Sequence, residues 1–166
     1  VIEEIEEEVI ERRTEMPTGG SLAERMKERA AALEANQTHR FPIPGWEELL
    51  EVELKSLSYA TIRRVIQRLD RVKDVGTHDL YAMADQIATA TEGLYEITPD
   101  GESRPLDDDW IRLANRLPDA PEGMTTRQAV LFLVGDKRIH FLVQEWGEWA
   151  KSVRTEVDEE VARDFG

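Results

Sequence analysis

Apolar and polar positions follow two different periods along this chain, and the helical one dominates. Leu22, Met26, Ala30 and Leu33 recur every three or four residues, predicting a helix over about 21–35. Ser21-Leu-Ala-Glu24 opens it as a capping box, in which hydroxyl and carboxylate each take an orphan N–H. The stripe is sparse, so this helix belongs at the edge of the domain or on a partner. Behind Ser58, residues Ile62, Val65, Ile66, Leu69 and Val72 form a fuller stripe and predict a core-facing helix over 59–73. Leu80, Met83, Ala84, Ile87 and Leu94 carry a third over 78–92, with Gly93 as its stop. Ala129–Val134 is apolar all round, follows a Thr125 or Thr126 cap and should be buried. After Gly135, the residues Ile139, Leu142, Val143, Trp146, Trp149, Ala150, Val153, Val157 and Val161 keep helical spacing to the acidic end. From Arg154 only Val remains on that stripe, so the helix should project past the core. The helices are thus expected at about 21–35, 59–73, 78–92 and 125–155.

The period of two is rarer. Leu50-Glu-Val-Glu-Leu54 alternates apolar and charged residues, as a half-buried strand does. Before it, Phe41-Pro-Ile-Pro-Gly-Trp46 reads as an extended entry that buries Phe41, Ile43 and Trp46. Leu94–Ile97, a Pro-Asp-Gly turn and Arg104-Pro-Leu106 predict a short hairpin, with Pro105 demoting its second arm to an edge. The pattern predicts a mainly α (α+β) chain: a compact helical domain with a small β-hairpin component near 46–57 and 94–106, a long C-terminal helix and an acidic N-terminal tail.

Length and charge add to this. At 166 residues the chain is one domain with ends, divided as a flexible acidic tail at 1–20, a helical domain at 21–155 and an acidic extension at 156–166. Residues 1–20 hold seven Glu against two Arg, with Ile2, Ile5 and Val9 as a short apolar stripe. The net charge of −14 opposes binding to phosphate backbones, so no nucleic-acid partner is expected. One basic patch stands out: Arg63, Arg64, Arg68, Arg71 and Lys73, interrupted by Asp70 and Asp74 and without interleaved aromatics. It is suited to acidic segments, the chain's own tails among them. No stretch has the length or apolarity of a membrane span, and nothing marks export, so a soluble, intracellular protein is expected. The chain opens on Val1 rather than Met, which leaves room for residues upstream.

Candidate chemistry is thin. Zero Cys removes disulfides, thiolate metal sites and cysteine nucleophiles. His39, His78 and His140 lie in separate segments without metal-ligand spacing. Asp107-Asp-Asp109 lacks a calcium loop and reads as the start of a helix at Trp110. No nucleophile elbow or phosphate loop is present, and Asp164-Phe-Gly166 lacks every companion motif of a kinase. The expectation is a protein that is no enzyme and has no cofactor and no metal. Four Trp are the notable residues. Trp146 and Trp149 are candidate interface anchors, with the alternative that helix 125–134 covers them as core. Val153 on the same stripe, and Leu22 and Met26 on the first helix, complete the candidate partner-binding set.

The order of segments carries a resemblance. Ser-Leu-Ala-Glu-Arg-Met-Lys-Glu-Arg (21–29) leads to Phe-Pro-Ile-Pro-Gly-Trp (41–46), Leu-Glu-Val-Glu-Leu (50–54) and Leu-Ser-Tyr (57–59). Met-Ala-Asp-Gln-Ile-Ala-Thr-Ala-Thr-Glu-Gly-Leu-Tyr (83–95), an acidic hairpin and an apolar helix before Gly-Asp follow. Over residues 21–150 this resembles the tail assembly chaperones of long-tailed, siphovirus-type bacteriophages of actinobacteria. The resemblance implies a chaperone in the host cell cytoplasm that binds the tape measure protein. It would keep that protein soluble while tail tube protein polymerises around it, and leave before the virion is complete. It also implies a longer form made by programmed frameshift, as a further partner alongside copies of the same chain. No site motif carries over. Two other classes remain open: an acidic adaptor or DNA mimic facing a basic protein, and a structural head–tail connector component. The body, net −6 without its ends, is less acidic than a mimic's surface should be.

Overall fold

The computed structural model describes residues 20–35 and 37–165, without the side chains of 33–35 and 154–165. The acidic tail expected at 1–20 lies, Gly20 apart, outside the described residues.

In chain order the elements are α1 (Leu22–Ala35), β1 (Thr38–Pro42), β2 (Leu50–Lys55), α2 (Tyr59–Gln67), α3 (Val75–Ala90), β3 (Thr91–Ile97), β4 (Ser103–Leu106), α4 (Trp110–Ala114), α5 (Thr126–Val134) and α6 (Ile139–Phe165). The four strands form one antiparallel sheet in the order β1-β2-β3-β4. This corrects the mainly helical expectation: the fold is α+β, and a sheet stands where a small hairpin was expected.

Two local readings account for the difference. Thr38–Pro42 carries a proline and only Phe41 as a buried residue, so its own pattern is that of a loop. Pairing with β2, Phe41 opposite Val52 and His39 opposite Leu54, makes it a strand. Pro42 is tolerated because β1 is an edge. Thr91 and Glu92, read as the end of a helix with Gly93 as its stop, instead begin β3. Thr91 caps α3 in extended geometry and Gly93 pairs with Glu53 inside the sheet. The register shifts between Glu53 and Leu54, so this end of the ladder is a bulge.

Alternation gives the sheet two unlike faces. Phe41, Val52, Leu54 and Leu94 point inward and are buried with α3, α5 and the first half of α6. The other face is a polar mesh. The Arg40 guanidinium lies 3.8 Å over the Tyr95 ring and 3.6 Å from Glu53. Ser103 donates to Glu51 at 2.7 Å.

The helices begin where side chains supply caps. Ser58 accepts the Thr61 N–H, Asp74 that of Thr77 and Asp109 that of Arg112. Thr125 and Gln128 form a full capping box at α5. At α1, Ser21 accepts the Glu24 N–H at 3.4 Å. α2 is shorter than its stripe, ending in a series of turns that carry the chain to Val72. α6 runs on through the expected extension at 156–166 to Phe165.

Two tryptophans tie distant parts of the core together through their ring N–H groups. Trp46 donates to the Leu133 carbonyl at 2.7 Å, joining the β1–β2 connection to α5. Trp146 donates to the Lys55 carbonyl at 2.9 Å, joining α6 to the end of β2. Gly45 sits at φ +89, and a side chain there would strike the Arg138 guanidinium.

Candidate functional site

The five candidate partner-binding residues fall in three places. Trp146 is 3 % exposed and belongs to the main core. With its ring N–H committed to Lys55, it offers nothing to a partner in this conformation. Trp149 lies one turn further on and is half-buried. Its ring stacks on His39 at 5.8 Å and meets Phe41 edge-on at 6.0 Å. Val153, another turn along, is 5 % exposed, and its neighbours are Trp149, Met26 and Ala30. Met26 therefore joins Trp149 and Val153, while Leu22, 47 % exposed, stands at the start of α1 outside that cluster.

The covering of this stripe is thin. Among the described side chains of α1 only Met26 and Ala30 are even half-buried. The rest face solvent: Ala23, Glu24, Arg25, Lys27, Glu28, Arg29, Ala31 and Ala32 beside Leu22. Of the described side chains, Met26 and Ala30 are the ones by which α1 packs on Val153. That matches the sparse stripe of its sequence.

A second concave site lies at the far end of the sheet. Trp46, Leu49, Leu50, Ile97, Leu106, Leu113, Leu117 and Leu133 line a cleft of about 240 Å³ with Glu96 and Arg116 at its rim. Leu49 is exposed here. Arg116 is held by Asp108 through two contacts of 2.6 and 3.1 Å. That pairing holds the Asp108 carboxyl below the usual carboxylate range and raises the guanidinium. The cleft was not legible in sequence because its lining comes from six separate segments.

The third is the outer side of α2. Tyr59, Ile62, Arg63, Ile66 and Gln67 line a shallow groove, with Tyr59 76 % exposed. The stripe expected to face the core does so through Val65, Leu69 and the half-buried Ile62; Ile66 is exposed. A seven-residue spacing of Tyr59 and Ile66 with Arg63 between them is the signal that marks this outer ridge.

The residues considered for metal chemistry remain apart in role. His39 is a stacking partner of Trp149, His78 lies 3.7 Å from Asp79, and His140 is exposed. Asp109 caps α4 while Asp108 pairs with Arg116. Among the described residues no group of three or more His, Asp or Glu is arranged to hold a metal ion. No described helix is long and apolar enough to cross a membrane.

Comparison of the chain with family models, curated proteins and solved structures finds no match.

Proposed function

We propose that this chain is a non-catalytic holding protein of the tail assembly chaperone type, acting in the host cell cytoplasm. It binds apolar helical segments of a tape measure protein and keeps them soluble until tail tube protein encloses them. The observation that supports this reading is the seam on α6. Trp149 and Val153 form an apolar stripe whose cover is another helix, α1, attached by Met26 and Ala30. A seam already occupied by one helix has the shape and chemistry to accept another. The aromatic ring of Trp149 supplies the kind of anchor that carries binding energy. Net charge of −14 keeps a holding protein from self-association while its cargo is apolar.

The test is co-expression with a tape measure protein from a long-tailed actinobacteriophage, using Trp149→Ala. The variant is expected to stay folded, because the ring is half-buried at the edge of the main core, against His39 and Phe41. It is expected to leave the tape measure protein in the insoluble fraction. A folded variant that still keeps its partner soluble would defeat the proposal.

A further inference from the structure

The outer face of α2 combines two properties that rarely sit together on so acidic a chain. It is apolar along a ridge of the exposed Tyr59 and Ile66, with Ile62 half-buried between them against the core, and basic around it through Arg63, Arg64, Arg68, Arg71 and Lys73, all five exposed. None of these five cations forms an ion pair with a described residue. The nearby acid Asp74 is already engaged, accepting from the N–H and hydroxyl of Thr77. A face of this kind fits an acidic segment with an apolar stripe.

Such a segment exists in the same chain. Residues 1–13 hold six Glu, with Ile2, Ile5 and Val9 at helical spacing. The tether reaches. Ala31 of α1 lines the same pocket as Ser58 and Thr61 at the start of α2. The rise along α1 from Leu22 to Ala31 is about 14 Å. Residues 14–21, extended, span about 26 Å, enough to return along α1 to α2. A short tether of this kind sets an effective concentration of about millimolar, so the contact needs little intrinsic affinity.

We infer that the outer face of α2 is the docking surface for residues 1–13 of the same chain. Ile2, Ile5 and Val9 lie on the Tyr59–Ile66 ridge, and the glutamates meet Arg63, Arg64 and Arg68. The contact is electrostatic at its rim, so added salt weakens it.

The 166-residue chain has no Cys, so one nitroxide can be placed in it at Glu7→Cys without other changes. The expected result is a loss of amide peak intensity over Tyr59–Gln67, recovered at high salt. The same loss should vanish in the chain that also carries Arg63→Glu and Ile66→Asp. Both positions are exposed, and the retained spectrum of the remaining amides checks that the variant is folded. Mixing spin-labelled chain with isotopically labelled, unmodified chain separates the sources. Intensity loss over α2 in that mixture alone makes a second copy the occupant and overturns the inference. So does the absence of loss over α2, or a loss that the double substitution leaves unchanged.

Discussion

Trp146 and Lys55 stand 91 positions apart, yet the indole N–H of the first donates to the carbonyl of the second at 2.9 Å. One turn further along α6, Trp149 makes ring contacts with His39 and Phe41 and stays partly open. Identical residues three positions apart therefore do different work. Trp146→Ala is expected to cost about 3–5 kcal/mol, the range for a large buried side chain. Trp146→Phe keeps most of the volume but leaves the Lys55 carbonyl without its donor, at about 1–3 kcal/mol. Trp149→Ala is expected to cost about 1–2 kcal/mol, since less apolar area leaves water on folding. Urea unfolding midpoints measure all three. Equal losses at the two tryptophans would contradict the division between core and seam.

The Arg127 guanidinium forks onto Asp85 at 2.8 and 2.7 Å and lies 4.4 Å over the Tyr81 ring. Pairing with Asp85 raises the guanidinium pKa. The bridge ties α5 to α3 beside the buried Ala84, Ile87 and Ala129. Its side chains are 32 % and 20 % exposed, so solvent screening lowers its worth. A double-mutant cycle of Asp85→Asn and Arg127→Gln is expected to give a coupling energy of about 1 kcal/mol. Additive single losses would mean that the fork contributes nothing beyond its separate side chains.

The carboxyls of Asp74 and Asp108 are both held below their ordinary range, the first mainly by the Thr77 hydroxyl and the second mainly by Arg116. A carboxyl depressed in the folded chain binds fewer protons there than in the unfolded one. Its stabilising effect is therefore complete above the unfolded value, about 3.9, and fades as pH falls through the lower folded value. Asp74→Asn with Asp108→Asn is expected to be less stable than the natural chain at pH 7. The difference in urea midpoint should shrink towards zero as pH is lowered below about 4. A difference that persists undiminished in acid would assign the loss to packing rather than to charge.

The elements legible in sequence are those whose signals are local. The Ser58 cap, and the Thr125 or Thr126 cap before the Ala129–Val134 run, each announce a helix within a few residues, and both helices form, with Ser58 and Thr125 as their caps. Leu50–Leu54 shows its alternation and becomes β2. β1 was not legible as a strand because Thr38, His39, Arg40 and Pro42 are all exposed, leaving Phe41 to carry the pattern. What makes it a strand is the partner opposite, Val52 against Phe41, and that is information from another segment. The same holds for the candidate sites. The Trp149–Val153 stripe could be read along one helix. Which element covers it could not, because Met26 and Ala30 lie more than a hundred positions away. Trp146 and Trp149 share stripe and type, and what separates them is the fuller burial of Trp146 and its bond to the Lys55 carbonyl.

If α1 is the element that yields to a partner helix, it must open more easily than the domain it covers. Among the described side chains it meets α6 through Met26 and Ala30 on Val153, while Ile139, Leu142 and Trp146 lie inside the main core. Opening of α1 should therefore be a local event, costing less than global unfolding. Native-state hydrogen exchange is expected to show amides of residues 25–32 exchanging well before those of 142–150. Met26→Asp should speed exchange in α1 further, since a carboxylate cannot rest against the apolar seam without a partner. It should also uncover Val153 and Trp149, seen as increased binding of a hydrophobic dye, while the urea midpoint of the main transition moves little. Protection of α1 equal to that of the first half of α6 would show that the two open together. In that case the seam is sealed in the folded chain, and a partner helix would have to bind elsewhere.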